Sequence, residues 1–102
     1  MSSTNLYSRE FYYKAPSDEA FEELKEASLE IWDTYDDPYQ TKKKDKVRRL
    51  DNVRDNFMVI VSMFDAENRK KLASKLSGPT KFEVRMRLKA GGANTSQITT
   101  FN

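Results

Sequence analysis

Four consecutive residues near the start of the sequence have side chains suited to nucleotide recognition: Phe11, Tyr12, Tyr13 and Lys14. Nucleotide bases stack on flat rings such as those of Tyr12 and Tyr13, and the ammonium group of Lys14 can pair with a phosphate. A helix is expected to begin at Ser17, and helix N-termini favour anions. The cluster therefore indicates either a nucleotide site or an apolar segment that packs onto the helices with its hydroxyl groups at the edge.

Two charged stretches allow similar alternatives. The carboxylates of residues 22–30 would suit an acid and base pair or a metal site, but a charged outer stripe is also ordinary solvation of an amphipathic helix. The lysines and arginines of residues 42–49 could contact phosphate, pair with that acidic face or lie in solvent. We expect no metal site, and we favour the structural explanation of both stretches.

A third pattern lies near the C-terminus, where Arg85, Arg87 and Lys89 alternate with apolar residues and precede Gly91-Gly92. The backbone N–H groups of the two glycines could form an anion-binding nest. A solvent-facing strand surface followed by a tight turn explains the same residues.

The residue types that are missing narrow the function further. The chain has no Cys and no His, so it cannot build thiolate or Ser-His-Asp nucleophiles or the common zinc sites by itself. We therefore expect a binding protein with no catalytic residues and no cofactor. Its 102 residues, 37% of them hydrophobic, predict a single domain with a small core.

Charge and hydropathy bear on partners and location. The net charge of +2 is too balanced for a protein that depends on phosphate-backbone contacts, so nucleic acid is the less favoured partner. No apolar run approaches the roughly 20 residues of a membrane span, and the first residues lack a signal-peptide core. The expected location is the cytoplasm.

Periodicity predicts a predominantly α fold: an antiparallel helical hairpin, a short third helix and a C-terminal β-strand or hairpin. The predicted segments are a lead over 1–16, a helix over 17–36 capped by Ser17, a long helix over 38–64, a short helix over 65–77 capped by Asp65, and a strand region over 81–101. Gly78-Pro79 is expected to end the short helix. The alternation of Phe82, Val84, Met86 and Leu88 predicts the strand. Residues 57–64 are apolar nearly all round, which requires cover from the rest of the chain or from another subunit.

The order of these features resembles a family of small phage proteins. Tyr13-Lys14, the turn closing at Ser17, the amphipathic first helix, the charged break and the sequence Asn56-Phe57-Met58-Val59-Ile60-Val61 are similar to the anti-CBASS type 2 sponges, over roughly residues 11–65. Those proteins are short, helical and oligomeric. They hold cyclic di- or trinucleotides of bacterial immunity at subunit interfaces without cleaving them.

The resemblance implies a homo-oligomer in the host bacterial cytoplasm that sequesters a cyclic di- or trinucleotide. Tyr13 matches a nucleotide-contacting tyrosine of the family, and Tyr12 is its neighbour. Lys25, or alternatively Lys14, would then contact phosphate. The competing hypothesis is a small phage inhibitor that blocks a host enzyme directly, either by strand addition or through the acidic helix face.

Overall fold

The computed structural model describes residues 9–33 and 43–102. Helices dominate these two ranges, which confirms the predicted predominantly helical chain. The helices of the described ranges are α1 (Arg9–Tyr12), α2 (Asp18–Asp33), α3 (Lys43–Asn52), α4 (Met58–Ser62), α5 (Ala66–Ser74), α6 (Gly78–Ala90) and α7 (Thr95–Thr99), with a 3-10 turn at Arg54–Asn56. Each of them is too short or too polar to cross a lipid bilayer.

Helix α2 begins where the sequence predicts. The Ser17 hydroxyl accepts the Ala20 N–H at 3.2 Å, and this bond satisfies one of the unpaired donors of the first turn. Phe21, Leu24 and Ile31 point into the core at helical spacing. Residues 34–36, the predicted end of this helix, lie outside the described residues.

Helices α2 and α3 pack against each other in an antiparallel arrangement. Lys25 in the middle of α2 pairs with Asp51 near the end of α3, and Arg54, just beyond α3, pairs with Asp18 at the start of α2. The Arg54 guanidinium also lies 4.9 Å from the centre of the Phe21 ring.

The prediction of one long helix over 38–64 is wrong within the described part of that range. Helix α3 ends at Asn52, a 3-10 turn follows at Arg54–Asn56, and α4 starts at Met58. Asp and Asn in this stretch favour turns over helix interiors because their side chains compete for backbone hydrogen bonds. The turn directs Arg54 toward α2 and places the Phe57 side chain in the core. Residues 38–42 lie outside the described residues.

The apolar stretch 57–64 is covered almost entirely by the chain itself. Phe57, Ile60 and Phe64 are buried, and the Trp32 ring stacks on Phe64 with ring centres 5.8 Å apart. Met63 is 48% exposed. Cover for this stretch therefore does not by itself require a second subunit.

Helix α5 confirms the predicted cap, since the Asp65 carboxylate accepts the Asn68 N–H at 2.9 Å. The expectation that Gly78-Pro79 ends this helix is wrong. These two residues instead open α6, with Pro79 in the first turn, where a missing N–H costs little.

The predicted strand over 82–88 is also wrong, because these residues belong to α6. The buried positions of α6 are Thr80, Val84, Arg87 and Leu88, which follow helical spacing. The alternating pattern was misleading for two reasons. It grouped Phe82, which is 60% exposed, with residues of the core, and it assigned the buried Arg87 to the solvent-facing side.

The predicted returning strand at 96–101 is helix α7, capped by Asn94, whose side chain accepts the Gln97 N–H at 3.0 Å. Phe101, just after α7, is fully buried. Residues 9–33 and 43–102 contain no β-strand, so the C-terminal β-strand or hairpin of the predicted fold is not present there.

Glu23 of α2 secures the N-terminal end of α6. Its Oε1 accepts the Ser77 N–H at 2.6 Å, and its Oε2 accepts the hydroxyls of Ser77 at 2.8 Å and Thr80 at 2.6 Å. Partial burial raises the pKa of Glu23, but the hydrogen bonds from Thr80 and Ser77 outweigh this and lower it overall. A carboxylate at this place also interacts favourably with the helix dipole.

We expect Glu23→Gln to lower the free energy of unfolding by about 1–2 kcal/mol near neutral pH, because the amide replaces a charged acceptor. The folded-state pKa lies below the unfolded value of about 4.3, so this stabilisation exists above that value and disappears as the pH falls through the folded-state pKa. Urea unfolding at about pH 7 and about pH 3 should show the deficit shrinking at low pH. The exposed neighbour Glu26→Gln is the control. A deficit of the same size at both pH values would contradict this role.

Candidate functional site

A buried arginine positions the aromatic cluster. The Arg87 side chain lies in the interior, with the residue 2% exposed. Its Nε donates to the carbonyl of Lys14 at 3.1 Å and its Nη2 to the carbonyl of Ala15 at 3.3 Å. Its Nη1 donates to the Glu83 carbonyl one turn earlier in α6, at 3.2 Å. The segment that follows Tyr13 is therefore tied to α6.

Two aromatic rings complete the surroundings of Arg87. The guanidinium carbon lies 5.3 Å from the centre of the Phe11 ring and 5.2 Å from that of Phe57. Burial lowers the pKa of Arg87, and the charge of Glu83 opposes that effect. An arginine remains protonated in either case, so the buried charge depends on the carbonyls and the rings for stabilisation.

This attachment brings Tyr12 and Tyr13 to the C-terminal end of α6. Their rings meet edge to face, with centres 4.9 Å apart and planes at 86°. The Tyr12 ring lies so close to Gly91 that a Cβ at residue 91 would overlap its Cδ2 and Cε2 atoms. Tyr13 is 51% exposed and presents its ring to solvent.

Two neighbouring cavities, each of about 360 Å³, share Tyr12 and Gly91. The first is lined by Arg9, Tyr12, Tyr13, Ala90 and Gly91. The second is lined by Tyr12, Met58, Val61, Ser62, Arg69, Leu88, Gly91, Gly92, Ala93 and Gln97. Each cavity has one arginine in its lining, and neither lining includes an Asp or Glu. We call this pair the Tyr12 cavities.

Burial raises the pKa of Tyr12, and the neighbouring Tyr13 raises it further. The Tyr12 phenol therefore stays protonated at neutral pH and can serve as a hydrogen-bond donor. In the second cavity, Arg69 donates one bond to the Phe64 carbonyl at 3.1 Å, which fixes its guanidinium group at the cavity edge.

The structure separates Lys25 from this cluster. Its Nζ lies 2.9 Å from Asp51 and 3.3 Å from Glu22, and its side chain is only 16% exposed. The hydrogen bond to Asp51 raises the pKa of Lys25 against an opposing effect of burial. Lys14 is exposed and directly follows Tyr13, so Lys14 stays next to the cluster while Lys25 joins α2 to α3.

The backbone N–H groups of Gly91 and Gly92, which could have formed an anion-binding nest, are instead used within the chain. The Gly91 N–H donates to the Arg87 carbonyl at 2.9 Å, and the Gly92 N–H donates to the Lys89 carbonyl at 3.1 Å. The two glycines instead end α6, with Gly92 at a φ of 81°, a conformation that favours glycine.

The carboxylates of α2 line cavities on another part of the surface. One of about 320 Å³ is bordered by Glu26, Glu30, Asp33 and Lys75, and Lys75 lies 3.8 Å from Glu30. Among the residues described, no three acidic side chains converge as a metal site would require. Of the basic stretch, Lys44, Arg48 and Arg49 lie on the exposed surface of α3, and Lys42 lies outside the described residues.

No family model, curated protein or solved structure matches the chain. A function for it must therefore be argued from its own residues and geometry.

Sequence reasoning missed Arg9 and Arg69, and it placed Arg87 on a solvent-facing strand surface. Arg9 and Arg69 line the Tyr12 cavities, and Arg87 holds the aromatic segment in place. The spacing of Thr80, Val84 and Arg87 was a usable signal, because it places Arg87 on the buried face of a helix. No local signal places Arg69 in the same cavity as Tyr12, because that placement depends on how α5, α6 and the first segment pack.

We expect Gly91→Ala to displace the Tyr12 ring and to lower the free energy of unfolding by about 1–3 kcal/mol, the usual cost of overpacking. Gly78→Ala is the matched control, because a Cβ there meets no atom within 4 Å. That control should be neutral or stabilising by about 0.4–1 kcal/mol. Urea unfolding measures both values, and NMR shifts of the Tyr12 ring report its displacement. Unmoved Tyr12 signals and full stability in Gly91→Ala would contradict the packing described.

Proposed function

We propose that the chain binds a cyclic di- or trinucleotide at the Tyr12 cavities and sequesters it without cleaving it, as a phage protein that evades bacterial immunity. The observation that carries the proposal is the composition of the two cavities. Tyrosine rings and an arginine occur in their linings, and carboxylates do not. Stacking surfaces combined with guanidinium groups are what a nucleotide requires of a protein.

The aromatic and basic residues in and beside the Tyr12 cavities have separate roles in this proposal. The exposed Tyr13 ring stacks on a base, since its neighbour Tyr12 holds it from the side. Arg9 and Arg69 pair with phosphates, and exposed Lys14 adds a further positive charge beside them. Lys25 has no part in ligand binding here, because Asp51 and Glu22 already pair with its charge.

Sequestration without cleavage is supported by the chemistry of the lining. Bond cleavage would need a general base or an activated nucleophile near the phosphate. The chain has no His and no Cys. Burial raises the pKa of the Tyr12 phenol, so Tyr12 is a poor base at neutral pH.

The proposal retains the homo-oligomer that the resemblance implies, with a second copy enclosing the exposed Tyr13 ring. Direct inhibition by strand addition is not proposed, because residues 82–88 form part of α6.

A calorimetric titration of the purified protein with cyclic di- and trinucleotides tests this function. A thermal-shift screen against the same compounds and linear controls selects the ligand, since a ligand of the folded state raises the Tm. We expect Tyr13→Ala to lose about 1–3 kcal/mol of binding free energy per stacked base. Mass spectrometry of the ligand after denaturation should recover it intact.

The matched control is Phe82→Ala, which removes another exposed ring on a different surface. It should bind nucleotide like the unmodified chain. Equal affinity in Tyr13→Ala, or the absence of any Tm shift with every cyclic nucleotide, would refute the proposal. A cleaved ligand would refute sequestration while leaving the site in place.

A further inference from the structure

A second groove lies between the N-terminal turns of α2 and α6 and has the opposite character to the Tyr12 cavities. Its volume is about 620 Å³. The apolar part of its lining is Ala20, Pro79 and Phe82, and carboxylates of Glu19 and Glu83 stand beside them. No Lys or Arg occurs in its lining. We call it the Phe82 groove.

Phe82 is the most exposed large apolar residue of the described chain, at 60%. It lies on the side of α6 opposite to the buried residues Val84 and Leu88, so its side chain is not part of the hydrophobic core. A single exposed apolar residue is common on protein surfaces. An exposed ring inside a groove and flanked by carboxylates is more specific, because the face of an aromatic ring attracts a cation and the carboxylates pair with it.

Hydrogen bonds hold this groove in shape. Glu23 binds Ser77 and Thr80 across the gap between α2 and α6, and the Ser17 hydroxyl donates to Glu83 Oε2 at 3.1 Å. The two helix ends are thus fixed relative to each other before any ligand arrives. A preformed groove limits the entropy that a partner must lose on binding.

The charge of α2 favours a cationic occupant. Its sixteen residues include seven Asp or Glu and one Lys, and that Lys25 is paired with Glu22 and Asp51. Asp18 is also paired with Arg54 and Glu30 with Lys75, so α2 keeps a smaller excess of negative charge, which attracts basic groups. A nucleotide bound at the Tyr12 cavities therefore would not compete for this groove.

We infer that the Phe82 groove binds an arginine-bearing segment of another protein, with the guanidinium group over the Phe82 ring and paired with Glu19 and Glu83. An arginine fits better than a lysine, because its planar group stacks on a ring while its N–H groups bind carboxylates. The aliphatic stem of the arginine then covers the exposed Pro79. The chain thus has a protein-docking surface that is independent of its nucleotide site.

Fluorescence anisotropy with a short labelled peptide of arginine, leucine and serine tests the inference on the full chain. The same peptide with citrulline, an uncharged isostere of arginine, is the ligand control. We expect the arginine peptide to bind and the citrulline peptide to bind about tenfold more weakly. Phe82→Ser should also weaken binding of the arginine peptide about tenfold, as removal of a central aromatic anchor does.

Met63→Ser is the matched protein control. Met63 directly follows α4, its exposure is similar to that of Phe82, and it does not line the groove. It should bind the peptide like the unmodified chain. No binding at ~1 mM peptide overturns the inference, since that corresponds to less than about 4 kcal/mol. Equal binding by Phe82→Ser overturns it too. Analytical sedimentation of the same variants tests whether a second copy of the chain occupies the groove. If Phe82→Ser dissociates an oligomer, the occupant is a second copy, and the inference of a different partner protein is overturned.

Discussion

The buried guanidinium group of Arg87 is the constraint on which the candidate site depends. A buried charge is costly unless other groups stabilise it, and here three carbonyls accept hydrogen bonds from Arg87 while two aromatic rings lie against it. Two of these carbonyls belong to the segment that follows Tyr13. Arg87 is one turn before Gly91 in α6. The hydrogen bonds that stabilise the Arg87 charge therefore also place Tyr12 against Gly91. The stability of the fold and the shape of the Tyr12 cavities thus both depend on the hydrogen bonds of Arg87.

Positive and negative charge are separated on this molecule despite its near-neutral total. The Tyr12 cavities have arginines in their linings, whereas the Phe82 groove has carboxylates. Helix α6 connects the two, since its N-terminal turn borders the Phe82 groove and its C-terminal end borders the Tyr12 cavities. One helix therefore borders the proposed anion site at its C-terminal end and the proposed cation site at its N-terminal end. The opposite charges of the two linings would keep the two proposed ligands from competing for one site.

The sequence correctly predicted those features of the fold that depend on interactions between residues close together in the chain. The caps at Ser17 and Asp65 and the buried face of α2 were predicted because each depends on residues within a few positions of each other. The prediction of a strand over 82–88 failed because an alternating pattern treats Arg87 as solvated. Two of the three carbonyls that accept hydrogen bonds from Arg87 are distant in the sequence, at Lys14 and Ala15. Tyr12 and Tyr13 were found as an adjacent pair, but Lys25 could not be excluded without knowing that Asp51 faces it.

Hydrogen exchange at the Tyr13 and Lys14 amides most directly tests whether Arg87 holds the site together. These amides donate to the carbonyls of Arg9 and Phe11, in a helix too short to persist alone. Arg87→Met should accelerate their exchange at least about tenfold, whereas Lys89→Met, which removes an exposed charge from the same helix, should leave it unchanged. Unchanged protection of both amides in Arg87→Met would contradict the role assigned to the buried guanidinium group.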